Sequence, residues 1–190
     1  VLFISMPFGS YVFSGESPTK TVVATTGMVG DVIKAVGGEK VTVNVLMGEG
    51  VDPHLYRPRA SDVRSILNAD AIFYNGLHLE GKMDEVLKRA SDRGREVVAI
   101  AECIPKADQL RAEDSKESSD PHVWMDVKLW KSTIPYATEV LCRIDSENSD
   151  YYKANAVRAN RQYQLLDEYT RLMIETIPQK SRVLITDHDA

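Results

Sequence analysis

Apolar positions along the chain alternate between two periods. Residues 22–26 (VVATT), 41–47 (VTVNVLM), 71–74 (AIFY) and 96–100 (EVVAI) are short runs rich in β-branched and aromatic side chains, and they predict strands. Between them the spacing turns helical. Residues 28–36 carry a helical pattern that stops at Gly37-Gly38, Ser61 stands at an N-cap position ahead of Val63, Ile66 and Leu67, and residues 83–90 predict a third helix. Gly48-Glu49-Gly50 ends the second strand, and two prolines within 51–58 force irregular backbone there. Strands alternating with helices predict an α/β fold, a parallel-sheet lobe with helices on both faces.

The second half reads differently. Residues 105–121 are polar and predict a surface loop, and 127–141 resume helical spacing with Pro135 as a kink or a break. Residues 148–177 contain no Gly or Pro, which predicts one helix of roughly 45 Å, long enough to cross the molecule. Along it Tyr152, Ala156, Ala159, Tyr163, Leu166, Tyr169, Met173 and Ile177 form one stripe suited to burial. Pro178 closes this helix, and residues 182–186 (RVLIT) predict a further strand running into Asp187-His188-Asp189.

Composition narrows the classes. With 43% hydrophobic and 27% charged residues the chain has the material for a packed core, which excludes intrinsic disorder. A net charge of −5 lacks the basic field expected of a duplex-binding protein, so nucleic acid is not an expected partner. Cys103 and Cys142 are too few for a disulfide framework and too far apart for a CxxC site. Residues 1–13 (VLFISMPFGSYVF) carry no charge and lead into Ser14, Gly15, Glu16 and Ser17, which reads either as the apolar core of a secretory signal without its basic end or as a buried strand. The run is too short to span a bilayer.

The candidate chemistry lies in histidines. His54 follows Asp52-Pro53 and His122 follows Asp120-Pro121, so Asp-Pro-His occurs twice, and His188 directly follows a predicted strand. Neutral imidazole suits zinc and other first-row divalent ions, and a preceding proline stiffens the stem of each histidine. Separations of 68 and 66 residues require a site assembled by tertiary structure. In a parallel α/β fold the loops leaving the carboxyl ends of the strands are where such residues converge.

The stretches GMVGDVIKAVGG, VLMGEGVDPHLYRPRASDVRSILNADAIFYNGLHLE, DPHVWMDVKLW and RVLITDHDA, in this order, resemble the TroA-like (cluster A-I) metal-binding solute-binding proteins of zinc and manganese ABC transporters. The resemblance covers residues 21–190. It implies two α/β lobes joined by a rigid spine helix, with the metal ion held between them. Residues 1–20 would be a signal remnant, 21–146 the first lobe, 147–178 the spine and 179–190 the first strand of a second lobe that is otherwise missing. The implied metal ligands are His54, His122 and His188, with an Asp much further along as the fourth. Histidine at the third position leans toward zinc, while the absence of histidine from the loop at 106–120 departs from dedicated zinc scavengers, so zinc and manganese both stay open.

The family further implies a periplasmic or extracellular location on the membrane-associated face, an ABC permease as partner, and a protein that is not an enzyme and is monomeric at full length. The lobe cut short would bind metal weakly and leave apolar surface bare along the spine. His78 would belong to the cleft wall, Asp52 and Asp120 would form turns or support the histidines, Trp124 and Trp130 would pack a helix start, and the cysteines would be two buried free thiols. Two alternatives stand beside this reading. One is a metallo-hydrolase using three histidines, although no HExxH motif occurs; the other is a surface adhesion module on the same fold.

Overall fold

The computed structural model describes residues 19–111 and 119–184. Strands β1 (Lys20–Thr26), β2 (Val41–Met47), β3 (Ala71–Tyr74) and β4 (Glu96–Ala99) form one sheet in the order β2-β1-β3-β4, and each pairing is parallel. Parallel neighbours need crossovers, supplied by helices α1 (Gly27–Gly37), α2 (Ala60–Asn68) and α3 (Asp84–Asp92). Helices α4 (Val127–Lys131), α5 (Thr133–Ile144) and α6 (Ser149–Glu175) follow.

Successive strand residues face opposite sides, which divides the core in two. Val22, Ala24, Ala71, Phe73 and Val98 pack against α1, α5 and the beginning of α6. Val23, Met47 and Ile72 pack instead with Ile66 of α2 and Leu87 and Ala90 of α3. Helices therefore cover both faces, as the alternating pattern predicts. Among the described residues no helix is long and apolar enough to cross a membrane.

Several local expectations are corrected. Helix α2 starts ahead of Ser61: Arg59 takes the cap position, and the Asp62 carboxylate accepts from its N–H at 2.7 Å. A charged acceptor in the first turn satisfies the exposed amides better than the serine hydroxyl. Of the kink or break expected at Pro135, the structure has a break, placed three residues earlier, with two helices parting at Ser132. There the Ser132 and Thr133 hydroxyls donate to the Leu129 and Trp130 carbonyls at 2.6 and 2.7 Å, while Pro135 sits in the first turn of α5, where a missing N–H costs nothing. Cys103 and Cys142 are free thiols as expected but only half-buried.

Helix α6 is 27 residues long, close to 40 Å. Its first half is docked: Tyr152, Asn155, Ala156 and Ala159 are buried. The Tyr152 hydroxyl donates to Asp145 at 2.5 Å, and Asn155 Nδ2 donates to the Val36 carbonyl at 2.8 Å. The predicted stripe is buried only this far. Leu166, Tyr169, Met173 and Ile177 are exposed, and Leu172 is 61% exposed, because this half of the helix extends past the lobe that covers the first half. Residues 182–184 form no strand; Val183 and Leu184 are exposed, with no neighbouring strand among the described residues to accept backbone hydrogen bonds. The rest of that predicted strand, together with His188 and residues 1–18, lies outside the described residues.

Gly38 joins α1 to α6. Its φ is +52°, and a Cβ there would collide with the Tyr151 hydroxyl and approach Asn155 Nδ2 to 2.9 Å. With ψ at −136° the residue lies in a region that side-chain-bearing residues rarely enter, so Gly38→Ala is expected to lower stability by about 1–3 kcal/mol from the backbone alone, and by more through displacement of the first turn of α6. Urea unfolding of the chain checks this, and an unchanged midpoint would contradict it.

Candidate metal centre

The loops after β2, β3 and β4 all leave the carboxyl edge of the sheet. His54 lies on the first and His122 on the last, and the two rings meet with Nε2 3.2 Å from Nε2. Residues 68 apart are thus brought together by topology.

Both histidines are carried by the same local device. Asp52 Oδ1 accepts from the His54 N–H at 2.8 Å, and Asp120 Oδ1 accepts from the His122 N–H at 2.9 Å. Each Asp-Pro-His is an Asx-type turn in which the carboxylate bonds the backbone two residues on and the proline fixes φ between them. Both aspartates form such a turn, and Asp120 also supports the ring of its histidine. Its Oδ1 also lies 2.7 Å from His122 Nδ1. An ionised carboxylate only accepts, so Nδ1 carries the proton and Nε2 presents its lone pair. His122 is 8% exposed and its ring packs edge-on against Trp124 at 5.2 Å, which limits ring rotation. Trp130 is buried in the core.

The pair has the spacing of ligands on one ion. Two nitrogens bonded at about 2.0–2.1 Å to a tetrahedral centre stand roughly 3.3–3.4 Å apart. With the His122 lone pair turned toward His54, the 3.2 Å approach is that of a hydrogen bond, and an ion placed between the rings would take the place of the shared proton. Two donors make half a tetrahedral shell, and among the described residues no cluster of three or more His, Cys, Asp or Glu side chains is arranged to hold a metal. A cavity of about 240 Å³ borders Asp120, His122 and Met125, and His54 is not among its walls.

His78 is exposed at φ +66° and takes no part in the pair. The loop it occupies nevertheless contains a feature the sequence reading missed. Glu80, 2% exposed, accepts from the Thr25 hydroxyl at 2.6 Å, the Asn75 N–H at 2.8 Å and the Gly76 N–H at 3.2 Å. Burial pushes its carboxyl above the ordinary carboxylate value, against the downward pull of Thr25 and the two amides. It lies between β1 and β3, where the strand order reverses and α/β sheets commonly bind ligands. Here the chain's own carboxylate fills that crevice. The available hint was Asn75-Gly76 at a strand end with a lone Glu soon after it among apolar residues.

The fold and the paired turns are those of an α/β lobe carrying two histidines at one sheet edge, and comparison with known sequences gives its family. Residues 22–190 match the family described as ZnuA, zinc-uptake complex component A, periplasmic, and the chain belongs to that family. It is 43% identical over 170 residues to the zinc-binding protein TroA of Treponema pallidum, and 40% identical over 169 residues to the manganese-binding lipoprotein MntA of Bacillus subtilis. Each alignment takes in 89% of this chain but only 54% and 55% of the respective relative, so the chain spans just over half the length of the curated relatives it matches. A solved structure of T. pallidum periplasmic zinc-binding TroA superposes with a TM-score of 0.85 at 41% identity, covering 90% of this chain and 61% of that one.

Proposed function

We propose that this chain is the metal-capturing first lobe and spine of an extracytoplasmic solute-binding protein, which takes up a divalent transition-metal ion, zinc or manganese, and delivers it to an ABC permease. The observation that carries this reading is the meeting of His54 Nε2 and His122 Nε2 at 3.2 Å on twin Asp-Pro-His turns. TroA and MntA, named for zinc and manganese respectively, are the relatives that support it. His188 is the third ligand in this account, and an acidic residue of a second lobe is the fourth. Residues 21–146 serve as the lobe, 147–178 as the spine and 179–190 as the start of the second lobe.

The relatives' greater length and the apolar residues bare along α6, from Leu165 to Ile177, support a second lobe seated on that face. A closed shell of protein ligands suits capture and release, whereas hydrolysis needs an open position for water. The protein works outside the cytoplasmic membrane on its permease-facing side, as a monomer at full length, and its cargo is the ion itself rather than a resident cofactor. Calorimetric titration of the full-length protein with Zn²⁺ and Mn²⁺ tests this: one ion per molecule is expected, with affinity falling at least about 100-fold in His188→Ala. Unchanged affinity in that variant would remove His188 from the site.

A further inference from the structure

Asn75 connects two parts of the carboxyl edge that the metal reading leaves unconnected. Its Nδ2 donates to the carbonyl of Pro121, the residue immediately before His122, at 3.0 Å, and to the Gly76 carbonyl at 3.1 Å. Its own carbonyl accepts from the Ala101 N–H at 3.0 Å, and its N–H is held by Glu80. Two carbonyl acceptors fix the orientation of the amide, since flipping it would press oxygen against oxygen. The side chain is fully buried, and its Oδ1 has no hydrogen-bond partner among the described residues. A buried amide half satisfied in this way is costly, and its Nδ2 contacts are what it supplies in return.

The backbone beyond it is strained. Gly76, Leu77 and His78 have φ of 84°, 53° and 66°, a left-handed run that includes two residues with side chains. Such a conformation persists only where its surroundings over-determine it, and the Glu80 carboxylate on the Asn75 and Gly76 amides does so. The whole turn therefore acts as a rigid bracket whose outward arm is the Asn75 amide on Pro121.

We propose that Asn75 is a positioning residue for metal capture, holding the Asp120-Pro121-His122 turn so that His122 Nε2 stands at ligand spacing from His54 Nε2. This rests on the reading of the histidine pair as metal ligands. Asn75 touches no ion itself. Without its amide the Pro121 carbonyl loses its anchor, and the His122 stem shifts relative to the loop bearing His54.

The test uses Co²⁺ binding to the full-length protein, followed by its visible absorption, in Asn75→Ala, Asn75→Asp and the milder Asn75→Ser, with His54→Ala and the core variant Ile72→Val as references. The expected result is binding 10–100-fold weaker in the Asn75 variants, in the range found for groups that orient ligands, with an altered Co²⁺ band. His54→Ala should abolish the band and Ile72→Val should leave it unchanged. Asn75 variants that bind with wild-type affinity and spectrum, while His54→Ala fails, would overturn the positioning role and leave the site standing. Equal weakening in Ile72→Val would reduce Asn75 to a general stabilising residue and equally overturn the proposal. Normal binding by His54→Ala would overturn the underlying site and the proposal with it.

Discussion

In the full-length protein, His122→Ala is expected to weaken zinc binding by at least about 100-fold, more than any change outside the ligand set. This expectation follows from the proposed ligand role and from how firmly His122 is held in the structure. Its backbone N–H and its Nδ1 both bond Asp120 Oδ1, at 2.9 and 2.7 Å, and Trp124 packs on its ring. Nε2 is thereby fixed as the unprotonated nitrogen, so little ordering remains to oppose binding. Alanine removes the donor and also leaves Asp120 without the ring it orients. Asp120→Asn separates the two contributions. It retains a side chain able to form the turn but presents a neutral amide to Nδ1, and a 10–100-fold loss is expected. Calorimetric titration of both variants checks this ordering; an Asp120→Asn loss equal to that of His122→Ala would show that the turn collapses.

The second large effect concerns stability. Glu80→Ala is expected to cost about 3–5 kcal/mol, because the Thr25 hydroxyl and the Asn75 and Gly76 amides would lose their acceptor in a buried site. Glu80→Gln should cost less, since its remaining oxygen still accepts, and it removes a titration. Burial raises the Glu80 carboxyl in the folded chain above its ordinary value of 4.5. Between that value and the raised one, the folded state binds more protons than the unfolded state, so the contribution is fully present below 4.5 and declines as pH rises through the folded-state value. Denaturant unfolding at several pH values should show the wild type losing stability relative to Glu80→Gln as pH rises across this window. Parallel pH profiles for the two proteins would contradict the assignment of that slope to Glu80.

What the sequence made legible depends on whether the determinant is local. Strands β1 to β4 fall within about two residues of their expected bounds, because a period of two and β-branched runs are properties of the segment itself. The two Asp-Pro-His turns were legible for the same reason, since aspartate and histidine two residues apart close the turn without outside help. Their meeting at 3.2 Å was not contained in a spacing of 68 residues; it follows from β2 and β4 ending at the same edge of the sheet. Where neighbours compete, local reading failed. Ser61 had a suitable hydroxyl, but Asp62 supplied the stronger acceptor. The α6 stripe is continuous in sequence, yet the lobe covers it only as far as Ala159 and part of Tyr163. Glu80 was the least legible, because a carboxylate reads as surface until the donors that bury it are known, and those come from β1 and the end of β3.

His54 and His122 are proposed to hold one ion together. The most direct measurement is anomalous diffraction at the zinc edge from crystals of the full-length protein grown with Zn²⁺. A single strong peak about 2.0–2.1 Å from Nε2 of both histidines is expected. A peak bonded to neither ring, or separate ions on each, would contradict it.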